Sequence, residues 1–513
     1  MSTPALQAGP RHPQLLLFTV FLLTVIEYLQ SGMIAFGSGP IMGEIGAAPE
    51  EFSLISATYA CVAIAAIAKQ RWFAERLGVR RFILVSLALF MIGAAICGSS
   101  STCLQFLAGR VIMAMGGGSL MTSARLLVNL FPPSPQRFTG IKYFATALAV
   151  GSASAPWLAS VAIAHDNWRW IFGALIGVAL LVLLLARSCL PTDTPARELR
   201  SESHPVLLMV LMAGSFCVLY ALQRAWYDFY GDATMLAAAG LVGLLALGYF
   251  VRAMHRHERV LLNFKALHNQ RYWSGVALFT FCYILMAATS YTLPALLQRG
   301  LGFPWEAIGR VQAVGLAGTV ASWMVLSVLL PKKPAAKKYY LAGFIALLVF
   351  GWQMAHLSPG ANLWTDFVPA LACYGMFIMF VLATTAMHAF REVAHNESVF
   401  SHAQQLKNML AQFGGSVGIS LATISLQTRT AMHGTALSTH FAHGDPVYEQ
   451  SLQQMTTVYA AAGAANPGVL AGAALAQSLT QQATLLASLD YFWIVAATGF
   501  VGAIVMMVQR VLK

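Results

Sequence analysis

The chain has 513 residues, of which 58% are hydrophobic and only 10% charged, and its mean hydropathy is +0.67. A soluble protein of this length needs more polar surface than that to cover its core, so the composition excludes a water-soluble globule and makes lipid the outer solvent. The formal net charge is +12, but Lys and Arg gather in short stretches between apolar runs, a pattern of membrane orientation that implies no nucleic-acid partner.

A hydrocarbon layer of about 30 Å is crossed by a helix of roughly 20 apolar residues. In chain order, apolar runs between polar or Gly/Pro breaks predict spans at roughly 15–36, 52–70, 82–98, 103–125, 138–164 and 170–190. The first run lacks a small-residue cleavage site followed by a water-soluble chain and is read as a helix, not a signal peptide. A pair follows at about 205–224 and 233–252, then six more at about 272–293, 307–330, 339–356, 367–390, 404–427 and 488–510. The expected architecture is therefore all-α with 14 transmembrane helices arranged 6+2+6. It divides into an N-terminal six-helix bundle (1–200), a two-helix insertion (201–260) and a C-terminal six-helix bundle (261–513) with a periplasmic segment at about 428–487.

Loop charge sets the orientation, because cytoplasmic loops carry the Lys/Arg excess. Lys69, Arg71, Arg76, Arg80 and Arg81 crowd one loop; Arg252, Arg256, Arg259, Lys265 and Arg271 crowd another. Lys332, Lys333, Lys337 and Lys338 fill a third, whereas 37–51, 99–102 and 356–366 hold no Lys or Arg. Both termini are expected inside, with the basic loops against anionic lipid. The equivalent placing of two basic loops in the first and last groups points to related halves, the architecture of alternating-access transporters with a site near the midplane.

Few polar groups lie at membrane depth. Glu27 is the one acid in the middle of a predicted span, so it must face a cavity or a partner. A carboxyl that alternates between wet and buried surroundings can take a proton on one side and release it on the other; the alternative is a permanently hydrogen-bonded acid that orients its helix. Arg110 keeps its charge and needs a carboxylate, carbonyls or water around it. It is expected either to sense Glu27, directly or through water, or to pack structurally against helix ends. Asn408, Gln412, Ser416 and Ser420 recur every four residues and share one helix face, either a wall of a substrate cavity or a polar packing seam; Tyr28, Gln30 and Ser31 share that ambiguity. Phe279, Phe281, Tyr283, Met286, Tyr374, Phe377 and Met379 suit an adaptable apolar cavity or ordinary packing.

Beyond the thirteenth predicted span, Asp445-Pro446 and Asn466-Pro467 each read as an N-cap followed by proline, predicting two short helices. Tyr448, Leu452, Met455 and Tyr459 share a face of the first, free to dock on the chain itself or to receive another protein.

The 7 cysteines lie in or beside apolar runs with no CxxC spacing, so neither a disulfide framework nor a zinc site is expected, and HRHE (255–258) reads as a solvated or lipid-facing basic stretch, not a metal site. GSGPIMG (37–43) follows a membrane helix and contains proline, so it is no dinucleotide loop, and no nucleotide-binding loop occurs. No nucleophile–base set or carboxylate pair occurs at membrane depth; an enzyme is not expected.

Several segments resemble the major facilitator superfamily, in particular its fourteen-span drug:proton antiporters of the EmrB/QacA type. WFAERLGVRR (72–81) is similar to the family's loop between spans two and three, with Arg71 where its leading glycine stands. LQFLAGRVIMAMGGG (104–118) places Arg110 at the family's intramembrane arginine, and SASAPWLAS (152–160) is similar to the antiporter motif, with Ala155 where a glycine is usual. WRWIF (168–172), VLLNFKALHNQRYWSG (260–275) and LPALLQRGLGF (293–303) resemble the EmrB-like subgroup. The resemblance implies proton-coupled export of amphiphilic or hydrophobic small molecules across the bacterial inner membrane. It also implies a periplasmic adaptor, and through it an outer-membrane channel, as partners in a tripartite pump that confers drug resistance. The proton gradient replaces any cofactor. Glu27 and Arg110 become proton-coupling residues; Glu75, Arg76, Gly78 and Arg80 a conformational-switch loop; Gly151 and Pro156 the antiporter motif. A dedicated exporter of an endogenous metabolite, lipid or siderophore is the alternative, and a non-transporting membrane sensor the alternative of another class.

Overall fold

The computed structural model describes residues 12–131, 135–165, 167–191, 200–225, 229–256, 261–333, 335–393, 395–439 and 445–512. Every element among them is helical. In the first group, α1 (Pro13–Phe36) leads through a short α2 (Ser38–Ile45) to α3 (Pro49–Leu77) and α4 (Val79–Gly98); α5 (Cys103–Gly117) and α6 (Leu120–Leu127) share one span; α7 (Pro135–Ala164) and α8 (Trp170–Cys189) complete it. Then come α9 (Pro205–Arg224) and α10 (Phe229–Arg256), followed by α11 (Gln270–Ala295), α12 (Trp305–Lys332), α13 (Ala336–Ala355), α14 (Val368–Ala389), α15 (Glu397–Ser438), α16 (Pro446–Ala461) and α17 (Pro467–Val508).

Local sequence explains where these helices begin. Thr102, Asn269, Asn396 and Asp445 each accept hydrogen bonds from the N–H groups of the turn they start, and Pro49, Pro205 and Pro446 sit at the first helical positions, where a missing N–H costs nothing. Thirteen helices among the described residues are long and apolar enough to cross a membrane. The eleventh predicted span, α13, is not among the thirteen, because it opens on Lys337 and Lys338; it is nonetheless a 20-residue helix packed on α14 and α17 with Tyr340, Phe344, Leu347 and Phe350 buried. The inserted pair stands at the rim. α9 packs on α3, while α10 touches chiefly α9 and is only 17% buried along its apolar stretch, as a lipid-facing helix would be.

The first and last groups meet along α7 against α12 and α3 against α15. The segment at 428–487 differs from expectation. Instead of two short helices between spans, α16 is the one short helix, and the second predicted helix is the beginning of α17, which runs unbroken for 42 residues. Asn466 makes no side-chain cap, and no glycine or proline between Ala473 and Val508 except the buried-face glycines of the span itself interrupts an Ala/Leu/Gln-rich run of good helix formers. α15 is also 42 residues long; each therefore spans about 60 Å, twice the hydrocarbon thickness, and the paired ends project together beyond the membrane under α16. Of HRHE, residues 257 and 258 lie outside the described residues.

Candidate functional site

Glu27 sits midway along α1 with only 7% of its surface exposed. Its Oε1 accepts a hydrogen bond from Gln412 Nε2 of α15 at 2.7 Å, and its Oε2 accepts one from Gln30 Nε2 at 3.0 Å. The carboxyl therefore bridges the first group to the last. Gln30, one turn along α1, also donates to the hydroxyl of Tyr59 from α3. The ring of Tyr59 in turn carries Arg110, whose guanidinium lies 3.9 Å from the ring centroid and whose Nη1 reaches Met113 Sδ at 3.5 Å.

The order across the site is Gln412, Glu27, Gln30, Tyr59, Arg110. No ion pair joins Glu27 to Arg110 among the described residues; the direct pairing considered from the sequence is replaced by a neutral relay. In a low-dielectric interior the two charges still act on one another over that distance, and the relay gives each a polar or aromatic neighbour in place of a contact ion pair.

All of these but Gln30 face a cavity of about 200 Å³ lined by Glu27, Tyr28, Ser31, Tyr59, Arg110 and Pro156 and, from α15, by Asn408, Gln412 and Ser416. Gln30, 1% exposed, lies behind this wall. The polar face of α15 divides. Asn408 donates to Thr122 Oγ1 at 2.6 Å but leaves its Oδ1 without a partner, and Ser416 Oγ has none. Ser420 belongs instead to a packing seam, where it is joined by Ser53 Oγ at 3.3 Å and Gln223 Nε2 at 3.0 Å.

The Tyr28 and Tyr283 hydroxyls meet at 2.9 Å across the two groups and lie on the wall shared with a second cavity of about 270 Å³, towards the end that carries the basic loops. Of the aromatic and methionine residues picked out from the sequence, Tyr283, Met286 and Tyr374 line the first cavity and Phe279 and Met379 the second, while Phe281 and Phe377 pack against Phe344.

The loop at 72–81 turns on Gly78, whose φ of +79° is open to glycine but strained for other residues. Glu75 accepts from Arg71 Nε at 2.7 Å and from the N–H and hydroxyl of Ser201 at 2.6 and 2.7 Å; Arg76 donates to the Ser201 carbonyl at 3.0 Å and covers the Trp72 ring. Arg80, in the first turn of α4, stands outside this network. Arg71, which occupies the place of the family's glycine, reaches His402 Nε2 at 2.9 Å and Ser398 Oγ at 3.3 Å, and so ties the loop to α15 in the opposite group.

The antiporter-like segment presses α7 onto α1. A methyl group built on Gly151 would lie 2.9 Å from Tyr28 Cβ, and one on Gly32 would lie 2.6 Å from Ala155 Cβ. The glycine absent at 155 is thus matched by one across the interface at 32. Pro156 removes the N–H that the Ser152 carbonyl would otherwise accept, and both residues line the cavity. We expect Gly32→Ala to destabilise the bundle by about 1–3 kcal/mol through overpacking, and Ala155→Gly added to it to restore the wild-type melting temperature in detergent. Equal melting of the single and double variants would show that the contact is slack.

Sequence reasoning overlooked Tyr59, Arg125 and Lys407. The last carried a signal, since it is a lysine inside a predicted span.

A Major Facilitator Superfamily family model matches residues 20–419. The Haemophilus influenzae multidrug export protein EmrB is 23% identical over 503 residues, covering 96% of this chain and 94% of that one. Its Escherichia coli K12 counterpart is 22% identical (94% and 93%), and an uncharacterized MFS-type transporter, YhcA, of Bacillus subtilis is 22% identical (87% and 83%). Among solved structures, a bacterial homologue of the human drug peptide transporters PepT1 and PepT2 superposes with a TM-score of 0.56 at 14% identity, covering 98% of this chain and 100% of that one. A bacterial homologue of the human lysosomal transporter Spinster gives 0.54 at 14% identity, with 98% of both chains covered, which extends the likeness of fold. With its match to most of the chain, an all-helical fold and a polar site between two helix groups, this multi-pass membrane protein belongs to the Major Facilitator Superfamily.

Proposed function

We propose that the protein exports amphiphilic or hydrophobic small molecules across the bacterial inner membrane in exchange for protons, with both termini and the basic loops in the cytoplasm. The observation that carries this reading is the placing of Glu27: the one carboxyl at mid-span lines the cavity and is held from both helix groups at once. An ionised carboxylate accepts from both Gln30 and Gln412 in charge-assisted hydrogen bonds, whereas protonation removes the charge and leaves only weaker neutral acceptors for the two glutamine N–H groups. Proton binding therefore loosens the link between the groups, and proton release restores it. Arg71 and its partners on α15 provide a second link that such a movement must break.

The test is efflux from proteoliposomes under an imposed pH gradient, screened over neutral, cationic and anionic amphiphiles. Gradient-dependent movement of at least one class is expected. Its absence for all of them removes the proposal.

We propose as well a partner beyond the membrane, on the ground of the projecting helix ends. Tyr448, Leu452, Met455 and Tyr459 are half-covered by the chain itself, but Val447 and Val458 on α16 are 71% and 67% exposed, and Val469 on α17 is 73% exposed. Such isolated apolar side chains on a projecting structure fit a periplasmic adaptor leading to an outer-membrane channel. Val447→Asp with Val458→Asp is expected to abolish efflux from intact cells and to leave liposome transport unchanged; unimpaired efflux from cells rejects the adaptor contact.

A further inference from the structure

The second cavity lies between the first and last groups at the end that carries the basic loops, separated from Glu27 by the Tyr28–Tyr283 contact. Among the described residues, four cationic side chains line it, those of Arg125, Lys142, Arg391 and Lys407, and no Asp or Glu does. Lys407 is only 5% exposed and makes no hydrogen bond or ion pair among the described residues; its nearest recorded partner is the Phe279 ring, 5.2 Å away. Arg125 leaves a buried Nη1 without a partner, its guanidinium 4.8 Å from the Phe400 ring. Lys142 lies 5.0 Å from the Phe138 ring. Three cations thus face rings where carboxylates would be expected. The nearby acids are engaged elsewhere: Glu397 with Arg137, and Glu392 with Arg271.

Buried charge without a counter-charge is unfavourable, so the arrangement asks for an anion from outside the chain. The remaining wall, which includes Phe144, Trp323 and Met387, is apolar and adaptable. We propose that this cavity is the inner binding site for an amphiphilic monoanion, its charged head between Lys407, Arg125 and Lys142 and its apolar body along the aromatic wall. The proposal rests on the exporter reading and narrows its substrate class; anion recognition itself needs no proton gradient.

The matched probes are 2-naphthalenesulfonate, 2-naphthol and 2-naphthyltrimethylammonium, titrated calorimetrically against the full chain in nanodiscs of phosphatidylcholine. The sulfonate is expected to bind about tenfold more tightly than either of the others. Lys407→Met should erase that preference and Lys407→Arg should keep it, both with wild-type elution and melting; should Lys407→Met fail to fold, Lys142→Gln, with its longer reach to solvent, gives the same reading. Equal affinity for the three probes, or a preference unchanged in the Met variant, overturns the proposal. Loss of sulfonate binding when phosphatidylglycerol is added makes a lipid headgroup the resident anion and also overturns it. Anion-selective binding with no gradient-driven transport would instead leave this site standing and reject proton coupling.

Discussion

Replacing Glu27 by Gln is expected to reduce gradient-driven transport by about 100-fold or more, equivalent to roughly 2.7 kcal/mol on the coupled step, with substrate affinity nearly unchanged. The amide is isosteric with the carboxyl and fills the same space between Gln30 and Gln412. It cannot titrate, and it offers one acceptor oxygen where the carboxylate offered two. The variant is therefore held in a state resembling the protonated one, able to bind but with nothing for a pH gradient to act on. Glu27→Asp separates titration from reach. Its carboxyl still ionises, but the side chain is one methylene shorter and cannot hold both glutamines, so coupled transport should persist at a reduced rate. Efflux from proteoliposomes at several external pH values reads both variants: a pH dependence in the wild type, a weaker one in Glu27→Asp and none in Glu27→Gln. A Gln variant that still responds to the gradient would move the proton to another group.

What the sequence discloses about this molecule follows the cost of error in a membrane. Spans were legible because a helix crossing hydrocarbon must be apolar for about 20 residues, and Glu27 stood out because a mid-span charge is expensive. The ends of α15 and α17 were not legible, because hydropathy marks where the membrane ends and not where the helix does. Gln412 and Asn408 were found through their spacing, yet that spacing also gathered Ser420, which faces a seam with Ser53 and Gln223. Which side of one helix meets a cavity depends on its neighbours. The exchange of glycine between positions 155 and 32 shows the same limit, since each looks unremarkable until α1 and α7 are in contact. Arg125 ends a predicted span, where an arginine ordinarily extends to the interface, and nothing local tells that it turns inward.

Tyr59 is the least legible of the residues between Glu27 and Arg110 and the most informative to change. A tyrosine in a span reads as apolar, but here its hydroxyl accepts from Gln30 while its face supports Arg110 at 3.9 Å. Tyr59→Phe retains the ring and hence the cation–π contact, and removes only the hydroxyl between the two charges. Coupled transport should fall about tenfold, with melting close to wild type, if the relay carries the response of Arg110 to Glu27. Arg110→Met removes the charge itself and should lower coupled transport by about 100-fold, again with the fold intact. Because both act on one chain of contacts, the double variant should be little worse than Arg110→Met alone, a non-additivity of about 0.5–3 kcal/mol. A purely structural arginine predicts the reverse, a large loss of thermal stability with coupling preserved in whatever protein folds. Transport and melting measured on the same four preparations therefore decide between an arginine that senses the carboxyl and one that merely holds α5 against α3; normal gradient-driven efflux by Arg110→Met would eliminate the former.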